Sequence, residues 1–119
     1  MTTNEFNKVI HLEVSDFDFN KKEIKTNHKV IIMVQRSGCH HCTKAKPEFV
    51  KAKKQCGENA IFATISGDQE PKLAEKIHQI IGKEINGVPE YLYFKNRKFV
   101  KIYGDERDSR SICNFILQN

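Results

Sequence analysis

Val30-Ile31-Ile32-Met33-Val34-Gln35, then Arg36-Ser37-Gly38, then Cys39-His40-His41-Cys42: this run within the 119-residue chain decides the fold. Its first part is continuously apolar, as a central strand covered on both faces must be. Ser37-Gly38 reads as a turn, and the residues after it predict a helix over about 40–55. Along that helix Cys42, Ala45, Phe49, Ala52 and Cys56 recur at helical spacing and form one apolar stripe. Lysines 44, 46, 51, 53 and 54 fill the remaining surface and read as a solvated face. Gly57 is expected to stop the helix as a left-handed cap.

The flanking sequence alternates strand and helix. Residues 8–14 alternate, with Ile10, Leu12 and Val14 on one face, and read as a first strand. Ser15 or Asp16 is expected to cap a short helix running through Ile24. A third strand is expected over 60–65. Asp68 or its polar neighbours then cap a helix with Pro71 in its first turn and Leu73, Ile77, Ile80 and Ile81 on its buried side. Val88-Pro89 leads into a strand over 91–94, and the polar turn Lys95-Asn96-Arg97-Lys98 returns the chain over 99–103. A last helix over about 107–117 carries Ile112, Phe115 and Ile116. The expected architecture is α/β, in the order β-α-β-α-β-α-β-β-α, with residues 1–119 forming one domain.

Composition excludes several classes. With 39% hydrophobic residues the chain has enough apolar side chains for a core, which argues against disorder. The longest apolar run falls far short of the roughly 20 residues of a membrane span. The formal charge of +5 comes from scattered lysines without an arginine cluster, so no nucleic-acid partner and no membrane partner is expected. The N-terminus, from Met1 to Phe6, lacks a basic start followed by an apolar core, and the C-terminus is not a retention signal. A cytoplasmic location is the default expectation, or a virion if the source is viral.

Cys39 and Cys42 carry the chemistry. Two cysteines at this spacing can close a small disulfide ring, and the first lies where a helix N-terminus favours thiolate over thiol. Cys39 can then attack a disulfide sulfur, and Cys42, one turn inside, can resolve the mixed disulfide. Two other readings remain: half a zinc site using His40 or His41, and a purely structural disulfide. The first lacks a distant second ligand pair, and the second would staple almost no chain. Cys56 and Cys113 read as small core residues. His11, His28 and His78 fall on expected surface faces and are given no role.

Taken together, these features resemble the thioredoxin family and the catalytic domains of protein disulfide isomerase, over about residues 9–117. The ordered matches are the strand before Cys39, Pro47 at the family's helix proline, Val88-Pro89 at its cis-proline step and Gly104 beside its substrate groove. The resemblance implies a thioredoxin fold with a mixed sheet. It also implies thiol–disulfide exchange with protein substrates, no cofactor or metal, a monomer, and recycling by a reductase or glutathione system. It makes Cys39 the nucleophile, Cys42 the resolving thiol and Val88, Pro89 and Gly104 the substrate platform. His41 matches the isomerase histidine, and the pattern as a whole is a CxHC motif.

Four positions depart from the family. Met33 stands where thioredoxins keep a buried aspartate and isomerases a glutamate. The basic partner on the neighbouring strand is expected to be replaced by an apolar residue near Phe62. Gln35 and Gly38 replace the two flanking tryptophans. A binding module with faded redox activity, and a glutathione-dependent glutaredoxin-like enzyme, therefore stand as alternatives.

Overall fold

The computed structural model describes Phe6 and residues 8–119. In chain order the elements begin with β1 (Ile10–His11), a 3-10 turn (Val14–Asp16), β2 (Phe17–Asp18), β3 (Glu23–Ile24) and β4 (Val30–Gln35). They continue with α1 (His40–Cys56), β5 (Ile61–Ser66), α2 (Pro71–Lys76), α3 (His78–Ile81), β6 (Glu90–Lys95), β7 (Lys98–Tyr103) and α4 (Ser109–Gln118). The seven strands form one sheet in the order β1-β5-β4-β6-β7-β3-β2. β1 and β4 run parallel to β5, and the remaining pairs are antiparallel.

β4 is buried along its whole length, as its apolar run requires. One face of the sheet packs Ile31, Met33, Tyr91 and Tyr93 against Cys42 and Phe49 of α1 and Ile112 and Ile116 of α4. The other packs Val30, Ile32, Ile65 and Leu92 against Leu73 of α2 and Ile80 and Ile81 of α3. The β6–β7 hairpin turns through Asn96 and Arg97, both at positive φ, a backbone form whose twist suits adjacent antiparallel strands. Two lysines close the far end of α4. Lys29 donates to the Ile116 carbonyl at 2.9 Å and Lys95 to the Asn119 carbonyl at 2.7 Å, placing cations at the dipole's negative end.

The structure corrects the reading of the N-terminal third. The helix expected from Ser15 or Asp16 to Ile24 is absent. Asp16 instead accepts the N–H of Glu13 at 2.8 Å, closing the turn behind it. Phe17 then pairs with Ile24 in a short hairpin, with Lys22 at positive φ in its turn. The buried ring of Phe17, 6.1 Å from that of Phe94, needs the extended backbone to reach the core. The first strand is only two residues long, and Ile10, expected to face inward, is 51% exposed while Val9 is buried. The residues before Phe6 that were read for a leader lie outside the described part.

Two further corrections concern helix ends and cysteines. Gly57 caps α1 in right-handed conformation, not left-handed; glycine is needed there because a Cβ would collide with the Lys53 carbonyl oxygen. Cys56 and Cys113 are not separate core thiols. They form a disulfide joining the end of α1 to α4, with Cα atoms 5.9 Å apart, inside the range a disulfide spans.

Candidate active site

The site forms where β4 ends and α1 begins. Gly38 adopts a positive φ of 74° that other residues rarely accept, and so turns the chain into the helix. Cys39 is the N-cap of α1, and its Sγ accepts the N–H of Cys42 at 3.1 Å. That N–H belongs to the first turn of the helix, whose donors have no intrahelical acceptor. Developing negative charge on Cys39 sulfur therefore meets a donor already in place. Cys39 and Cys42 are joined as a disulfide, with Cα atoms 5.2 Å apart.

The two sulfurs have unequal access. Cys42 is fully buried and packs among residues that include Met33, whereas Cys39 is partly exposed. Cys39 Sγ also lies 3.5 Å from the Val88 carbonyl oxygen, an acceptor for its S–H in the dithiol form. The Val88–Pro89 peptide bond is cis. Gly104, further along the same side, lines a cavity together with Pro89. His40 and His41 are both exposed, with ring centroids 5.9 Å apart. The structure thus brings Cys39, Cys42, Val88 and Pro89 together, and leaves His41 on the solvent side of the helix start.

Around the buried sulfur, the sequence reading needs adjustment. The residue beside Met33 on β5 is Thr64, not Phe62. Thr64 is buried and polar. Its hydroxyl donates to the Met33 carbonyl at 2.7 Å and accepts from Gln35 Nε2 at 3.3 Å. No charged group takes the place of the family's acid and base at these two positions. His11 is not a surface residue either: it is half-buried, and its Nδ1 has no hydrogen-bond partner.

One anchoring residue escaped the sequence reading. Asp68 does not cap α2; its carboxylate accepts the backbone N–H of Ser37 in the loop before Cys39. Hydrogen bonds from the Ser37 backbone and then its hydroxyl hold the Asp68 carboxyl below its ordinary value of 3.8. A contact across 31 residues leaves no local sequence signal. Among the described residues, no group of three or more His, Cys, Asp or Glu is placed to hold a metal ion. No helix among them is long and apolar enough to cross a membrane.

Comparison with known proteins agrees with this geometry. The thioredoxin family's sequence model matches residues 8–118. The chain is 32% identical to the putative thioredoxin-like protein 453L of Invertebrate iridescent virus 6, over 92% of each chain. Its structure superposes on oxidised mitochondrial thioredoxin 3 of Saccharomyces cerevisiae with a TM-score of 0.73 at 16% identity, covering 97% of this chain and 99% of that one. It also matches human ERp44 with a TM-score of 0.74 at 17% identity, over 93% of this chain and 30% of that one. The fold and the Cys39–Cys42 disulfide together support a thiol–disulfide oxidoreductase in general terms. The chain belongs to the thioredoxin family.

Proposed function

We propose that the protein exchanges disulfides with protein substrates, Cys39 acting as nucleophile and Cys42 as resolving thiol. In the reducing direction the Cys39 thiolate attacks a substrate disulfide, forming a mixed disulfide and releasing one substrate thiolate. Cys42, deprotonated, then attacks Cys39 sulfur. The second substrate thiolate leaves, and two electrons have passed from the dithiol to the substrate. Oxidation of a substrate dithiol runs the same steps backwards. The observation that carries this reading is the asymmetry of the pair: a partly exposed, N-capping Cys39 above a fully buried Cys42.

The extended substrate segment pairs with the backbone at Val88, beside cis Pro89, and passes Gly104. His41, next to the buried Cys42 in sequence, tunes the pair electrostatically in an isomerase-like manner. A reductase or the glutathione pool returns the pair to its starting state. Insulin reduction by wild type against Cys39→Ser tests the activity, and Cys42→Ser should accumulate mixed disulfides that identify the substrates. Met33, an apolar residue in the same buried cluster as Cys42, favours one second reading, a fold kept for binding with slow redox turnover. Normal folding with no measurable insulin reduction would select it.

A further inference from the structure

α1 carries more than the nucleophile. Cys39 is its N-cap, and further along the same helix Glu48 reaches across to the start of α4. Its neighbours Phe49 and Val50 are buried in the core on that face of the sheet, which anchors the backbone bearing Glu48. One Glu48 carboxylate oxygen accepts the backbone N–H of Ser109 at 2.8 Å. The other lies 3.7 Å from Lys51 Nζ, a pair open to solvent.

Ser109 is the first residue of α4, and Asp108 is the N-cap. A capping side chain serves the second or third N–H of its helix, and Asp108 takes that of Ser111 at 3.1 Å. The Ser109 N–H comes before those, beyond the local cap, on a residue only 6% exposed. A buried donor left unpaired is costly, and Glu48 supplies the acceptor from another helix. Its carboxylate also meets the positive end of the α4 dipole.

The segment held in this way faces the substrate platform. Gly104, Asp105, Glu106 and Arg107 line a cavity of about 400 Å³ together with Pro89. The hydrogen bond from Arg107 Nη2 to the Pro89 carbonyl, at 3.5 Å, is at the limit of such contacts. The Tyr103 hydroxyl donates to the Glu106 carbonyl and the Glu106 N–H to the Asp105 carboxylate, bonds that tie the segment to the end of β7 and to itself. The short bond to Glu48 therefore fixes this wall relative to the helix that carries Cys39. Cys39 in turn lies beside the platform, its Sγ 3.5 Å from the Val88 carbonyl oxygen.

We propose that Glu48 is a positioning residue for exchange with polypeptide substrates. Through the Ser109 N–H it sets the spacing between residues 104–107 and Pro89, and so the width of the channel an extended segment enters. The proposal rests on Cys39–Cys42 as the exchange site and adds a discrimination to it. A disulfide within a chain needs this wall, whereas a small aromatic disulfide meets Cys39 alone.

Mildly reduced protein is mixed with excess insulin or excess dithiobis(nitrobenzoate), and single turnovers are quenched and alkylated over a range of substrate concentrations. Glu48→Ala is expected to raise the half-saturating insulin concentration about fivefold, leaving the limiting rate and the reaction with the small disulfide unchanged. Glu48→Gln keeps an acceptor oxygen and should restore wild-type behaviour, and Lys51→Ala should behave as wild type. An unaltered insulin reaction in Glu48→Ala, or an equal loss on both disulfides, would overturn the proposal. So would failure of Glu48→Gln to restore the reaction, or a Lys51→Ala protein as impaired as Glu48→Ala. Amide NMR spectra add a readout independent of turnover: Glu48→Ala should shift Gly104 and Arg107 and leave Gly38 in place. Unmoved Gly104 and Arg107 amides would overturn the proposal in any case. Shifted amides in a protein that reduces neither disulfide would support the positioning contact and sink the exchange reading.

Discussion

The Asp68 carboxylate accepts the backbone N–H of Ser37, two residues ahead of Cys39, and so ties the loop after β5 to the loop that leads into α1. A carboxyl whose pKa is lower folded than unfolded adds stability above its unfolded value, and loses it as pH falls through the folded one. Asp68 is shifted down by Ser37, Glu23 by Lys98 and Arg97, and Asp108 by Ser111. These groups should leave stability level above about pH 5 and erode it below about pH 4. Asp68→Asn should shallow that acid limb and loosen the residues around Ser37. Calorimetric melting temperatures across pH check the first effect, and amide exchange at Ser37 checks the second. An unchanged acid limb in Asp68→Asn would refute the assignment.

The Cys56–Cys113 bridge closes a loop with a sequence separation of 57, and restricts the unfolded chain accordingly. The loop-entropy relation puts the stabilisation at about 4 kcal/mol. Cys56→Ala/Cys113→Ala should therefore melt well below wild type, and because the apolar replacements strand no polar group, the loss reports the bridge itself. Alkylation after mild reduction should label Cys39 first; Cys56 and Cys113, 4% and 7% exposed, should need denaturant. Labelling of all four at equal rates would contradict the burial.

These two contacts also mark where sequence reading stops. Elements set by local pattern were legible: the apolar run of β4, the stripe of α1, and the polar turn between β6 and β7. The reactive pair was legible because its spacing and its place at a helix start are both local properties. Asp68–Ser37 and Cys56–Cys113 join distant segments, and nothing near either residue announces its partner. Cys56 and Cys113 each lay on an apolar helix face, but which faces meet is a tertiary fact. The missing first helix has a different cause. Capping chemistry at Ser15 and Asp16 competed with the alternation of Phe17, Asp18 and Phe19, and burial of Phe17 against Phe94 decided for the strand.

Met33 is fully buried, and its strand neighbour Thr64 carries no charge. Neither of these two positions therefore offers Cys42 a carboxylate to take its proton, and resolution of mixed disulfides should be slow. Met33→Asp should speed that step by tenfold or more on the order seen for positioned general bases, while lowering stability because the new carboxyl is buried. Stopped-flow decay of a preformed mixed disulfide reads the rate, and denaturant unfolding reads the cost. A stable Met33→Asp protein with no faster decay would exclude proton transfer as the slow step.

His41 should move the reduction potential in a measurable direction. An imidazole near the Cys39 thiolate stabilises the dithiol form, and a stabilised dithiol is a stronger oxidant. The potential is expected to lie above the roughly −270 mV of thioredoxin, towards the −180 mV or so of disulfide isomerase. His41→Ala should lower it. Equilibration with glutathione buffers gives both values, and a wild-type potential at or below thioredoxin's would disprove the assignment.

Both borders of the seven-stranded sheet are strands of two residues, Ile10–His11 on one side and Phe17–Asp18 on the other. An open border invites a foreign chain to extend the sheet, and one this short offers it almost no backbone to grip. In the proposed exchange, a partner joined to Cys39 would consequently be held by sulfur and by the short backbone pairing at Val88 beside Pro89, not by the borders of the sheet. Once the sulfur–sulfur bond had moved to Cys42, that partner could depart, and the molecule would be left clean for its next encounter.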